Sequence, residues 1–326
     1  MSALERAVAD GDLDELVRWV DRLCAARDWE GLVELRDRCR RAYDSTGRQL
    51  WPAASLAEYR LALDADAEHA ALVLVEGTGH LSLGPLPEVA AQGHSWAELR
   101  DHVVPGPAAW TTAHERVVRG EDLTGNDVGP VLDVALTLAP WEPAYWLPTY
   151  HDDHVDLDGP PAAVLRPEPT ALAGERADDP VAVAALRSLA ERWLVQSEAS
   201  VEVVAVRGTA EEAVAALGPG VTVRWLDIVA GEAVARMAWA AASGGAHGRR
   251  RGGAAGRFDA LWALAAVAGL TEDWPVPMDE LGEAAGELRW ALWHPDAPAA
   301  AGWSLRLAIE DPAEGLAWAV AAVDRG

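Results

Sequence analysis

The sequence contains no lysine; all 27 of its basic residues are arginine. That absence removes several chemistries at once. A Walker phosphate loop, a kinase-type strand lysine, a Schiff-base enzyme and a Ser-x-x-Lys nucleophile pair each need the missing ammonium. Cysteine is nearly absent too. Cys24 and Cys39 fall in helical patterns with no CxxC spacing, which argues against a zinc site or a disulfide framework. On apolar helix faces both are poor nucleophiles. There is no Gly-x-Ser-x-Gly elbow, so α/β-hydrolase chemistry has no support. No apolar run is long enough to span a bilayer. The opening stretch MSALERAVADGDLDEL lacks the basic and apolar regions of a secretory signal. A soluble cytoplasmic protein is the expectation. Phenylalanine occurs once and isoleucine twice, a bias that fits GC-rich codons.

What is abundant is acid. Asp and Glu number 52, giving a formal charge of −25. Such a surface repels phosphate backbones and anionic lipid, so neither nucleic acid nor membrane is an expected partner. Half of the 326 residues are hydrophobic, enough for two ordinary domains with substantial cores.

Residues 1–120 read as an α-helical domain, a bundle or HEAT-like stack. Leu13, Leu16, Val17, Val20 and Leu23 share one helical face. Asp12 and Asp28 read as N-caps, and 55-SLAE-58 and 95-SWAE-98 match the capping box. No fixed-period repeat emerges. Residues 121–180 are Pro-rich, read as a connector assignable to either domain, with one candidate strand at 131–138. Residues 181–326 read as a mixed α/β sheet domain. Asp179-Pro180 opens a helix running to about Gln196, and 209-TAEE-212 is a capping box between strands 201–206 and 221–228. That unit fits a parallel βαβ pair. Period-two patterns at 288–293 and 303–309 suggest antiparallel partners, and Asp311-Pro312 is expected to open a closing helix.

The segment 244-GGAHGRRRGGAAGRF-258 reverses the local charge, with no acid from Ala233 to Phe258. Glycines allow close backbone approach, arginine forks suit phosphate or carboxylate, and a helix expected near Arg257 points its positive end at the loop. The candidate anion-binding set is His247, Gly248, Arg249, Arg250, Arg251, Gly252, Gly253 and Arg257. The plainer reading is a helix–helix connector kept soluble by arginine. A third ties these arginines to the protein's own acids or to a second subunit. Mid-strand Arg224, Arg289 and Arg306 read first as salt-bridged residues of a half-solvated sheet face. In 150-YHDDHVDLD-158 a solvated acidic loop outweighs a metal site, whose ligands would be His151, Asp152, Asp153 and His154. No metal or cofactor is expected. Most of the sixteen tryptophans fall at core positions. Trp141, Tyr145 and Trp146 lie outside any helical pattern and are the candidates for a partner contact.

The stretches 114-HERVVRGEDL-123, 140-PWEPAY-145 and 244-GGAHGRRRG-252 resemble an uncharacterised protein family of high-GC bacteria with no assigned activity. The resemblance implies no catalytic residue. The sequence thus points to an interaction or scaffold protein with an unidentified protein partner. The alternative is an α/β domain that binds a small anionic ligand through 244–257, with enzymatic activity left open.

Overall fold

The computed structural model describes residues 3–157, 159–195, 197–296 and 302–326. Asp158 and Gln196, which the sequence reading used, lie outside them. The chain divides into two compact units, Met1–Leu132 with Pro148–Leu157, and Asp133–Leu147 with Asp158–Gly326.

The first unit is helical: α1 (Ala3–Asp10), α2 (Leu13–Ala26), α3 (Trp29–Thr46), α4 (Trp51–Asp64), α5 (Ala67–Ala71), α6 (Leu86–Gly93), α7 (Trp96–Leu99) and α8 (Pro107–Val118). A small hairpin, β1 (Thr149–Tyr150) with β2 (Val155–Asp156), completes it. The caps read from sequence form where the chain turns. The Asp12 carboxylate accepts from the Glu15 N–H, Asp28 from the Gly31 N–H, and Ser95 with Glu98 makes a full capping box. Ser55 is different. Pro52 at the first turn lets α4 begin at Trp51, so Ser55 lies buried inside the helix and caps nothing.

The second unit is an antiparallel sheet with helices. It comprises β3 (Arg166–Pro169), β4 (Glu175–Arg176), α9 (Pro180–Glu191), β5 (Ala199–Arg207), α10 (Ala210–Ala216), β6 (Thr222–Ile228), α11 (Ala230–Ala242), α12 (Gly253–Val267), α13 (Met278–Glu287), β7 (Arg289–Pro295), β8 (Trp303–Asp311) and β9 (Leu316–Asp324). The strand order is β3-β6-β7-β8-β9-β5-β4. Overall the protein is mixed α+β, helical in its first part, as the sequence indicates.

Three local expectations are corrected. β5 and β6 are not neighbours; β7, β8 and β9 lie between them, and every pairing in the sheet is antiparallel. Residues 131–138 form no strand. The closing element is β9, not a helix. The Asp311 carboxylate accepts the Ala313 and Glu314 N–H groups and Gly315 takes φ +63°, so 311–315 is a hairpin turn. β9 runs between β8 and β5 with both faces covered, and an apolar run buried on both faces mimics helical spacing.

The two faces of the sheet differ. On one, Trp290, Leu292, Leu305, Leu307, Ile309, Trp318 and Val320 pack against α9, α11 and α12 as the main core. On the other, Ala291, Ala308, Ala317 and Ala319 keep the surface flat, and the short helix α10 lies there through Ala210, Ala213 and Val214. Two large indoles of the main core have their N–H groups satisfied: Trp318 donates to Asp179, the α9 N-cap, and Trp193 to Ser243.

β3 and β4 sit at opposite edges, yet only Thr170–Gly174 separates them in sequence. A link of that length reaches about 21 Å. Six strand spacings in a flat sheet would need about 29 Å. The sheet is therefore strongly coiled, in the sense that strand twist accumulates. The link crosses on the α10 side, with the Gly174 N–H donating to the Glu212 carbonyl and the Thr170 N–H to the Val221 carbonyl.

Candidate functional site

Coiling leaves a cavity of about 290 Å³ between α10, the 168–171 segment and the β6–β7 face. Strand alternation sets its lining. Val223, Trp225 and Asp227 of β6 face it together, and cross-strand register puts Arg289 of β7 on the same face, opposite Glu310 of β8. Val214 and Glu211 come from α10, and Glu168, Pro169, Thr170 and Ala171 close the edge.

Arg289 is held by three carboxylates. One terminal nitrogen lies 2.8 Å from Glu211 and 3.3 Å from Asp227, and the other 3.0 Å from Glu310. The hydrogen bond to Glu211 leads in raising the Arg289 pKa, so the guanidinium stays charged. Burial pushes the Glu211 carboxyl up, but Arg289 outweighs it and holds the group below its ordinary value. The Trp225 indole donates to Asp227 at 3.1 Å. Glu168, Glu211 and Asp227 in the lining thus outnumber the single guanidinium, and the cavity is anionic at neutral pH. In its wall the Thr170 hydroxyl oxygen is buried with no hydrogen-bond partner among the described residues.

The Gly/Arg segment has another construction. α12 begins at Gly253, so Arg257 lies one turn inside it, with 1% of its side chain exposed. It donates to both oxygens of Glu142, at 2.7 and 2.9 Å, and to the carbonyls of Ala135 and Thr137. Sealed in this way, Arg257 cannot reach a solvent-borne anion at the loop. Arg251 pairs with Asp259. Arg249 is exposed and Arg250 half-buried, with His247 exposed between them and Gly245. The glycines answer packing needs. A Cβ on Gly256 would sit 2.2 Å from the Ala238 carbonyl oxygen of α11, and one on Gly245, at φ +74°, 2.4 Å from the Asp324 carboxylate. That buried carboxylate holds the loop by accepting from the Ala246 N–H at 2.7 Å. Gly248, Gly252 and Gly253 belong to the same packed turn, Gly252 and Gly253 being buried.

The proposed contact aromatics are also committed inside the second unit. Trp141 donates to the Met278 carbonyl at 2.6 Å, Tyr145 donates to Glu142 at 2.6 Å, and Trp146 stacks under the Arg236 guanidinium. Burial, with Glu142 beside it, pushes the Tyr145 hydroxyl well up. Among the strand arginines, Arg289 and Arg306 share the α10 face, while Arg224 lies on the other and pairs with Asp296. In the first unit, Thr149–Asp156 forms the β1–β2 hairpin, which groups His151 and His154 with Asp156. Burial pushes the Cys24 and Cys39 thiols to about 11 and about 12, in keeping with inert core residues.

Of the cavity residues, only Arg289 stood out in the sequence. Trp225 and Asp227 share a period-two face, but their meeting with Glu211 and Thr170 depends on strand order, which no local pattern carries.

A helical unit followed by a coiled antiparallel sheet, with an anionic cavity under a crossing helix, defines the class of α+β protein. The chain belongs to DUF6183, a family of unknown function, whose match covers residues 14–326. No curated protein and no solved structure matches it. No helix among the described residues is long and apolar enough to cross a membrane.

Proposed function

We propose that the second unit binds a small organic cation, a molecule carrying an ammonium or guanidinium group on a short apolar limb. The observation that carries this reading is the cavity before Trp225, in which three lining carboxylates face one guanidinium already paired with Glu211, Asp227 and Glu310. A carboxylate or phosphate would meet net repulsion there. A cation meets Glu211, Asp227 and Glu168, with the Trp225 ring available for a cation–π contact. Val214, Val223 and Pro169 supply apolar wall for the limb, and the Thr170 hydroxyl supplies an unused hydrogen-bonding group. It differs from the anionic-ligand expectation, one of whose residues, Arg257, is spent on Glu142. The scaffold expectation drew on the helical first part and names no partner chemistry, so the cavity gives the more specific reading.

Thermal-shift and calorimetric titration with agmatine and putrescine test it, with acetate and inorganic phosphate as opposite-sign probes. Ligand at a hundredfold above Kd stabilises by about 2.7 kcal/mol, an upward shift of a few degrees in Tm. The expected result is a shift with the cations, lost in Trp225→Leu and reduced to about half in Glu211→Gln. A flat response to both cations, or a response to the anions alone, overturns the reading.

A further inference from the structure

We propose that the β1–β2 hairpin of the first unit is a binding site for a first-row divalent transition metal, with His151, His154 and Asp156 as ligands. One donor atom from each lies within 4.8 Å of the others. The imidazoles of His151 and His154 stack at 4.4 Å between centroids and 9° between planes. Asp156 reaches both rings: one oxygen accepts from Nε2 of His151 at 3.1 Å, a proton that a bound metal would displace, and the other is 3.8 Å from Nε2 of His154. Tetrahedral zinc with bonds of about 2.0–2.1 Å wants its ligand atoms roughly 3.3 Å apart. The three donors therefore need to close by about 1.5 Å at most, a shift that rotation of exposed side chains supplies.

Two further features favour a metal over a solvated loop. First, Nδ1 of His154 lies 2.6 Å from the Asp153 carboxylate. A carboxylate only accepts here, so that nitrogen carries the proton and Nε2 is left to ligate. This is the carboxylate–imidazole–metal relay that orients metal-binding histidines. Second, the hairpin is anchored from beneath by side chains of α4 and α6. Gln92 of α6 brackets Tyr150, accepting from its N–H at 2.7 Å and donating to its carbonyl at 3.0 Å. The Tyr150 hydroxyl donates to fully buried Glu88 at 2.7 Å, and its ring lies over Gly84, where a Cβ would sit 2.3 Å away. The Tyr59 hydroxyl donates to the carbonyl of His151 itself. A hairpin tip fixed at its backbone pre-orders the ligands and reduces the entropy lost on binding.

The donor set selects the ion. Two imidazoles and one carboxylate suit zinc, cobalt, nickel, copper or iron and disfavour calcium and magnesium, which take oxygen. Three protein ligands leave a coordination position open to water. Asp152 and Asp153 add local negative charge that draws the cation in.

Calorimetric titration of the full chain with Zn²⁺, and the visible spectrum of the Co²⁺ form, provide the test. Wild type is expected to take one tightly held ion and to give the visible bands of nitrogen-ligated Co²⁺. His151→Ala with His154→Ala abolishes that binding, while Asp156→Asn weakens it. Asp153→Asn, which leaves all three ligands in place, is expected to weaken it about 10–100-fold. Circular dichroism and Tm of each apo variant verify that the fold persists. Equal uptake by wild type and the double histidine variant, or no uptake by wild type, overturns the proposal. So does an Asp153→Asn variant that binds as wild type does, since the relay is then absent.

Discussion

Arg257 and Arg289 both hold carboxylates in the same unit, yet their surroundings put them to different uses. Arg257 has 1% of its side chain exposed and its partner Glu142 none. All the hydrogen bonds it makes are internal, joining the 135–142 segment to α12. Arg289 is 43% exposed, shares its charge among Glu211, Asp227 and Glu310, and borders a cavity. A sealed pair with matched charges fixes structure. An exposed arginine outnumbered by acids leaves a field that a ligand can use.

The largest effect should come from breaking the sealed pair. Arg257→Met strands a buried carboxylate and is expected to lower stability by about 3–5 kcal/mol. Adding Glu142→Leu should recover much of that, because well-packed apolar replacements of a buried pair are often near neutral. Denaturant unfolding reads both, and a single-variant loss below about 1 kcal/mol would erase the contrast. Next comes Glu211→Gln at the cavity. It should weaken agmatine binding by about tenfold, roughly 1.4 kcal/mol, while changing stability by less than about 1 kcal/mol, since that pair is solvent-screened. If stability fell and affinity held, Arg289 would be structural like Arg257.

The third effect is a pH slope. Burial holds the His94 imidazole below its ordinary range, and burial with Arg306 and Arg236 does the same to His294. Below about pH 6.5 the unfolded chain binds protons that the folded chain resists, so stability is full above that value and declines as pH falls. His294→Asn should flatten the decline, measured as Tm between pH 7 and 5. A second decline begins below about pH 4. Burial raises the Asp324 carboxyl, but the Ala246 N–H, the Ser197 hydroxyl and the Gly326 N–H outweigh it and hold the group low. The smallest effect belongs to Arg224, whose contact with Asp296 is about half exposed on both sides. Arg224→Ala should change unfolding free energy by no more than about 0.5 kcal/mol; a larger loss would mean that exposure does not separate these arginines.

The parts of the fold that were readable from sequence are those decided within a few residues. Asp12, Asp28, Ser95, Asp179 and Thr209 cap the helices they precede, because a cap needs only a side-chain oxygen and the next turn. β9 was misread because Leu316, Ala317, Val320 and Val323 satisfy a helical face by coincidence, while the fact that decides is its burial between β8 and β5. The candidate cavity was hidden for the same reason. Glu211, Trp225, Asp227 and Arg289 come from three elements joined only by register. The Gly/Arg segment drew attention through composition. Its glycines respond to Ala238 and Asp324, contacts that lie outside any local window.

The place of β9 also sets a timetable for synthesis. β5 ends at Arg207, and its only full-length neighbour begins at Leu316. At about 5–20 residues per second, ribosomes need roughly 5–20 s to make the intervening chain. For that interval Val201, Val204 and Val206 lack the strand that will cover their open edge. The unit must then wait, part-folded and prone to aggregate, for its last strand to emerge. Its yield in the cell should therefore follow the supply of chaperones during translation more closely than its final stability.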